Sequence, residues 1–216
     1  LHSSPRRQRQ MCIRDRVPLG VGIGFAHKYR NEKKISRVYL GDGAMSNGQV
    51  FEAFNLASLW ELPVLFIIEN NKYGMGTSIG RSAAGNELFE RATVFGIKGE
   101  KVDGMNFFTV SDAAIRAREY INNNSKPYII EMDTYRFRGH SMSDPGLYRT
   151  KDEVNKMKEI DPVLMMKETL LKEYKFKEDT IKDIESDIKK QIKDVEKFSL
   201  DSPLPDIKEL FTEVYL

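Results

Sequence analysis

The chain has 216 residues and a formal net charge of +2, from 34 basic and 32 acidic side chains. This length suits one α/β domain, and the balanced charge argues against a nucleic-acid-binding protein. The one cysteine, Cys12, excludes a disulfide scaffold and a cysteine metal site, and no apolar run is long enough to span a membrane.

Residues 1–16 differ in composition from the rest of the chain, because they are rich in arginine and contain one acidic residue, Asp15. A transit peptide has this composition, but it is not expected to run directly into the core of a domain. We therefore interpret residues 1–16 as a foreign, disordered leader on an N-terminally truncated chain.

Residues 18–26 carry Gly20, Gly22 and Gly24. A dinucleotide-binding loop is one interpretation, but no strand precedes these glycines and no acidic residue follows at the required distance. We predict instead a helix whose small residues let another helix approach.

The next segments indicate a strand, a helix and a second strand. Residues 38–40 are predicted to form a short buried strand, and residues 49–60 a helix with an apolar stripe. Residues 64–68 are apolar on both faces, which is typical of a central strand in a parallel sheet. Together they predict a βαβ unit.

Beyond this unit, Ser111 is a candidate N-cap for a helix that ends near residue 122, and residues 128–132 indicate another buried strand. Residues 134–150 are predicted to form a long functional loop. Isoleucines then recur every three or four residues, as in an amphipathic helix. We predict an α/β fold with a parallel sheet flanked by helices over residues 17–150, and a C-terminal helical extension of the same domain over residues 151–216.

Two polar, glycine-containing segments follow the two predicted strands. Residues 41–44 read GDGA and residues 69–76 read ENNKYGMG. Ligands bind at the carboxyl ends of strands in open parallel sheets. A hard divalent cation prefers oxygen ligands, and glycines let backbone N–H groups approach a diphosphate. Since no Walker motif is present, these segments predict a magnesium diphosphate cofactor site of another kind.

The motifs GDGAMSNGQ, ENNKYGMGTS and GHSMSDP, in this order and spacing, resemble the alpha subunits of pyruvate dehydrogenase first components. The resemblance extends from residue 17 to residue 216. It implies a thiamine diphosphate-binding fold, thiamine diphosphate and magnesium as cofactors, and oxidative decarboxylation of pyruvate with acetyl transfer to a lipoyl group, which feeds acetyl-CoA synthesis.

The resemblance also assigns roles to individual residues. Asp42, the Asn71 side chain and the Tyr73 carbonyl would bind magnesium. The remaining roles are cofactor contacts, made by Gly41, Gly43, Ala44, Arg136 and His140, with His140 also acting as the catalytic residue that handles protons and orients the lipoyl group. Each residue type has a simpler use: Asp beside Gly and paired Asn are common in turns, and Arg and His are common on surfaces.

The resemblance further implies partners. A beta subunit would complete an α₂β₂ heterotetramer and supply the glutamate that activates the cofactor, and a lipoyl domain of the dihydrolipoamide acetyltransferase component would accept the acetyl group. The alternatives are a sister enzyme specific for branched-chain 2-oxo acids or acetoin, and an inactive fragment acting only in assembly. Because upstream substrate-contacting residues are absent, we expect this chain to be inactive even with a beta subunit.

Three loop residues bear on the source of the chain. Ser141 matches a serine that kinases modify in mitochondrial relatives, but a second such serine is absent before Tyr148, and Arg138 stands where those relatives carry histidine. We therefore expect a bacterial cytoplasmic protein that acts on a small-molecule substrate, with neither nucleic acid nor membrane as partner; the mitochondrial matrix is the alternative.

Overall fold

A computed structural model of the protein describes residues 16–85 and 87–212. The predicted leader therefore lies outside the described residues, apart from Arg16. The chain divides into two compact units, with the boundary along the sequence between Pro162 and Val163. Each unit is described by itself.

The strands of the first unit are β1 (Ser36–Gly41), β2 (Val64–Asn70), β3 (Tyr73–Gly74), β4 (Thr77–Ser78), β5 (Lys98–Asp103) and β6 (Tyr128–Asp133). Four of them form a parallel sheet in the order β1-β2-β6-β5. The other two form an antiparallel hairpin, β3-β4, which follows β2.

One helix precedes β1, and the others occupy the connections between strands and the C-terminal part of the chain. They are α1 (Arg16–Tyr29), α2 (Gly48–Leu59), α3 (Ile79–Ser82), α4 (Glu90–Thr93), α5 (Phe107–Asn124), α6 (Lys151–Glu159), α7 (Pro162–Lys172) and α8 (Glu178–Asp201). Short 3-10 helices cover Asp42–Ser46 and Ile207–Phe211. The predicted βαβ unit and the parallel sheet flanked by helices are confirmed.

Strand β2 is the centre of this fold because both of its faces are buried. Val64, Phe66 and Ile68 join the core cluster that also contains residues of α1 and α2, whereas Leu65 and Ile67 pack with α5 on the opposite face. This alternation follows from the two-residue period of a strand. It explains why the segment is apolar throughout.

One detail of the predicted helices is corrected, and one strand was missed. Helix α5 begins at Phe107, and its N-cap is Asn106 rather than Ser111, since the Asn106 side chain accepts hydrogen bonds from the Phe108 and Thr109 N–H groups at 3.0 and 3.2 Å. Strand β5 was not predicted, because Val102 is the one buried residue within it.

The glycines of α1 permit close packing, as predicted, but against the sheet. A Cβ atom on Gly20 would lie 2.1 Å from Cγ2 of Val38 in β1, and one on Gly24 would lie 2.6 Å from Cγ2 of Val64 in β2. Gly22 has nothing within 4 Å of such an atom. The helix therefore lies directly on two strands, so the predicted helix–helix approach does not explain these glycines.

The second unit begins at Val163 and contains most of α7 and all of α8. Lys167 pairs with Glu185 at 3.2 Å, which links the two helices. The predicted amphipathic helix is confirmed by α8, where Ile184 and Ile188 recur on one side and are about half exposed. Within residues 16–85 and 87–212, no helix is both long and apolar enough to cross a membrane.

Candidate active site

Asp42 lies at the carboxyl end of β1, in the first turn of the short 3-10 helix. Its side chain is buried, with 4% of the residue exposed. Oδ2 is the single buried side-chain oxygen or nitrogen in the described part of the chain that lacks a hydrogen-bond partner. Burial raises the pKa of this carboxyl group, opposed by the backbone N–H groups of Asp42 and Gly43 and by the charges of Arg136 and Lys72.

The segment after β2 folds back onto this carboxylate. A Cβ atom on Gly74 would lie 3.4 Å from the Gly43 Cα atom and 3.8 Å from Asp42 Oδ2. A larger residue than glycine would therefore fill the space beside the carboxylate. The two polar segments predicted to form one site do meet in the structure, through Asp42, Gly43 and Gly74.

The other predicted metal ligands belong to the same turn. Asn71 Oδ1 accepts a hydrogen bond from the Tyr73 N–H group at 3.3 Å, and the Tyr73 carbonyl accepts one from Arg136 Nη1 at 3.3 Å. Each of these oxygens has a second lone pair. Gly41 and Ala44 flank the carboxylate at the end of β1 and in the 3-10 helix.

This donor set fits a hard divalent cation. A buried carboxylate oxygen without a partner lowers the stability of the folded protein unless a ligand pairs with it. Mg²⁺ usually binds one or two carboxylates and completes its coordination shell with phosphate oxygens and water. The described residues contain no group of three His, Cys, Asp or Glu side chains suited to a metal. A site with one carboxylate, an amide and a carbonyl is therefore the arrangement available at Asp42.

Arg136 connects the long loop to the turn after β2. Its guanidinium group donates to the Tyr73 carbonyl at 3.3 Å, the Met75 carbonyl at 2.5 Å and the Tyr148 hydroxyl at 2.9 Å. Nη1 also lies 3.4 Å from Nδ1 of His140. The structure thus brings Arg136 and His140 together beside the Tyr73 carbonyl.

His140 itself is exposed and its backbone is fixed by Asp144. The His140 N–H group donates to Asp144 Oδ2 at 2.7 Å, and the same carboxylate accepts from the Gly146 N–H group at 2.8 Å and the Tyr148 hydroxyl at 2.9 Å. These bonds, led by those from the His140 and Gly146 N–H groups, lower the pKa of Asp144. The loop predicted over residues 134–150 contains no helix or strand but is held by side chains.

Glu153 is a further residue of this site that the sequence did not indicate. Its Oε1 accepts hydrogen bonds from the hydroxyls of Tyr73 at 2.9 Å and Tyr135 at 2.8 Å. Burial, followed by the Glu153 carboxylate, raises the pKa of Tyr73 to about 12. The pattern Thr150-x-x-Glu153 is a recognisable helix N-terminus, and the Thr150 side chain does cap α6, but that signal says nothing about the tyrosines.

A second unpredicted contact lies within the core, behind the site. Glu131 in β6 is fully buried; its Oε1 accepts from Asn70 Nδ2 at 2.7 Å and its Oε2 accepts from the Phe89 N–H group at 3.0 Å. Asn70 precedes the candidate ligand Asn71. A glutamate within the apolar stretch of residues 128–132 could have indicated this contact, because buried charges need partners.

Comparison with known proteins places the chain in a family. The family model described as dehydrogenase E1 component matches residues 7–208, and the chain belongs to this family. It is 50% identical over 199 residues to the pyruvate dehydrogenase E1 component subunit alpha of Rickettsia felis, with 92% of this chain and 61% of that protein covered.

Two further relatives carry the same name. The protein of Rhizobium meliloti is 46% identical over 201 residues, covering 93% of this chain and 58% of its own length. The mitochondrial protein of Dictyostelium discoideum is 47% identical over 201 residues, covering 92% and 53%. The resemblance predicted from the motifs is confirmed at the family level, and the chain spans between about half and 61% of these relatives.

Proposed function

We propose that this chain is part of the alpha subunit of a thiamine diphosphate- and magnesium-dependent enzyme that oxidatively decarboxylates pyruvate and transfers the acetyl group to a lipoyl group. The names of the relatives support pyruvate as the substrate. The observation that carries the proposal is the buried, unpartnered Asp42 Oδ2 beside a glycine turn. A cation bound to a diphosphate would satisfy this oxygen.

Different residues of the chain would bind the cation and the diphosphate. Asp42, the Asn71 amide oxygen and the Tyr73 carbonyl would hold the cation. The backbone N–H groups at Gly41, Gly43 and Ala44 would contact the diphosphate. When bound, thiamine diphosphate supplies the nucleophilic carbon and the electron sink for the decarboxylation.

Two residues of the loop over residues 134–150 would contact the cofactor phosphate and the lipoyl group. Arg136 already lies beside the Tyr73 carbonyl and would exchange one of its carbonyl contacts for a phosphate oxygen, which gives a stronger charge-assisted bond. His140 is exposed next to Arg136 and would hold or accept a proton as the lipoyl group takes up the acetyl group. Glu153 would fix the position of Tyr73 through its hydroxyl.

The proposal includes partners and a location. A beta subunit in an α₂β₂ heterotetramer would supply the activating glutamate, and the lipoyl domain of the acetyltransferase component would receive the product. The departures at Arg138 and before Tyr148 favour a bacterial cytoplasm. A sister activity toward branched-chain 2-oxo acids or acetoin is the competing proposal.

The test is calorimetric titration of thiamine diphosphate, with and without Mg²⁺, into the chain assembled with a matching beta subunit. We expect saturable, Mg²⁺-dependent binding that Asp42→Ala abolishes. Asp112→Ala, which removes an exposed aspartate on α5, is the matched control and should bind normally. Equal binding by wild type and Asp42→Ala would refute the placement of the site. Comparing turnover of pyruvate with that of branched-chain 2-oxo acids, by a full-length alpha subunit assembled with the beta subunit, would decide the substrate.

A further inference from the structure

A series of hydrogen bonds inside the core connects strand β6 to the turn after β2. Glu131 is fully buried in β6, and its Oε1 accepts from Asn70 Nδ2 at 2.7 Å. Asn70 is also buried, and its Oδ1 accepts from the Lys72 N–H group at 3.2 Å. Both ends of the Asn70 amide are therefore bonded, one to a carboxylate and the other to the backbone of the turn.

The direction of the Asn70 amide is fixed by its two neighbours. The Lys72 N–H group can only donate, so it requires the Asn70 oxygen, and this turns the Asn70 amino group toward Glu131. The second oxygen of Glu131 also faces a donor, the Phe89 N–H group at 3.0 Å. Both oxygens of Glu131 thus act as acceptors, which a carboxylate provides and a neutral amide does not.

The turn needs this support because Lys72 has a left-handed backbone. Its φ is 73°, a conformation that is unfavourable for a residue with a Cβ atom. The bond from the Lys72 N–H group to Asn70 holds the residue in this conformation, and the Lys72 ammonium group pairs with Asp133. Lys72 lies between Asn71 and Tyr73 in the sequence, so its conformation sets where the Tyr73 carbonyl lies relative to the Asn71 amide.

The same carboxylate also holds the segment that supports the other half of the site. Phe89, which donates its N–H group to Glu131, is the N-cap residue of α4. Two residues further on, Arg91 Nη1 donates to the Met45 carbonyl at 3.2 Å. Met45 belongs to the 3-10 helix that begins at Asp42. Glu131 is therefore connected to both polar segments of the candidate site.

We propose that Glu131 is a positioning residue for cofactor binding. Through Asn70 it holds the left-handed turn that aims the Asn71 amide oxygen and the Tyr73 carbonyl at the cation. The inference rests on the proposed function, because the cation and its diphosphate belong to that function. Residues that orient metal ligands from behind typically change metal affinity by about 10–100-fold when they are substituted.

The test moves the carboxylate from residue 131 to residue 70. In Glu131→Gln an amino group replaces one oxygen; facing Asn70, it requires the Asn70 oxygen, which then releases the Lys72 N–H group. With the chain assembled with a matching beta subunit, calorimetry in Mg²⁺ should show the Kd for thiamine diphosphate rising about 10–100-fold. Asn70→Asp/Glu131→Gln restores an acceptor to the Lys72 N–H group and should recover most of the lost affinity. Asn70→Asp alone, which brings two carboxylates together, should not.

Hydrogen exchange in the metal-free assembly separates positioning from overall stability. Exchange over residues 69–76 should be faster in Glu131→Gln than in the wild type, and the double variant should slow it again. The matched control is Glu100→Gln, since Glu100 is another carboxylate of the sheet that accepts from two side chains, those of Arg116 and Tyr128. We expect the control to change neither the Kd nor the exchange over residues 69–76.

The outcomes separate this inference from the proposed function. Wild-type affinity in Glu131→Gln, or a double variant that assembles but binds as weakly as Asn70→Asp, would overturn the inference. An effect of Glu131→Gln on urea unfolding alone, with unchanged exchange over residues 69–76, would show a role in stability only and would also overturn it. Absence of Mg²⁺-dependent binding by the wild type would count against the proposed function, and exchange would then still decide whether Glu131 holds the turn.

Discussion

Replacing Asp42 by Asn should make the metal-free protein more stable while removing its ability to bind the cofactor. The substitution keeps the shape of the side chain and removes a buried charge whose Oδ2 has no partner. An unsatisfied buried polar group costs about 1–3 kcal/mol, and more when it is charged. The neutral amide retains part of that cost, so we expect a gain of about 1–2 kcal/mol at neutral pH.

The assay is thermal and urea unfolding in the presence of a chelator. For a chain of this length, 1 kcal/mol shifts Tm by about 2–4 °C. Burial raises the pKa of Asp42 above its ordinary 3.8 in the folded state, so its contribution to stability is present below that value and is lost as pH rises through the raised pKa. The stability difference between variant and wild type should therefore grow with pH across this window.

Two results would refute this reasoning. One is a wild type that is more stable than Asp42→Asn at neutral pH without metal, which would mean that Oδ2 has a partner in the folded protein. The other is a stability difference that does not change with pH. In excess Mg²⁺ and thiamine diphosphate the order should reverse, because only the wild type gains binding energy.

Gly20→Ala should destabilise the first unit by about 1–3 kcal/mol, because its Cβ atom would overlap Val38, whereas Gly22→Ala should be neutral or stabilising by up to about 1 kcal/mol. Urea denaturation of both variants checks this, and equal effects would contradict the packing of α1 on the sheet. Tyr73→Phe should cost about 1 kcal/mol through the lost bond to Glu153 and weaken Mg²⁺-dependent cofactor binding, as calorimetry would show. Unchanged binding in that variant would mean that the hydroxyl does not position the Tyr73 carbonyl.

The sequence predicted the centre of the fold better than its edge. The apolar run of β2 is unambiguous, because both faces of the strand are buried. Strand β5 escaped prediction because it lies at the edge of the sheet, where one buried residue, Val102, gives no alternation. The N-cap is Asn106 rather than Ser111 because four helical residues, Phe107 to Val110, precede Ser111. The sequence pattern did not show that the helix begins one turn earlier.

For the candidate site, too, the sequence predicted some features and missed others. The two polar segments were predicted to form one site from their positions at strand ends, since topology brings such ends to one edge of a parallel sheet, and the resemblance assigned Asp42 and Asn71 within them. Their roles as ligands stay a prediction. The contact between Tyr73 and Glu153 joins residues far apart in sequence, and the pairing of Arg136 with His140 occurs in a loop without periodicity. Contacts of these kinds depend on side-chain geometry, which no local pattern encodes.

The unpaired edge of strand β1 affects how readily the isolated protein aggregates. Among the described residues no strand pairs with its outer side, so a row of N–H and C=O groups is left beside Val38, Tyr39 and Leu40. An apolar sheet edge of this kind can recruit a strand from another polypeptide, whereas the polar edge at β5 resists such recruitment. Aggregation of the isolated chain should therefore begin at β1 and increase with protein concentration.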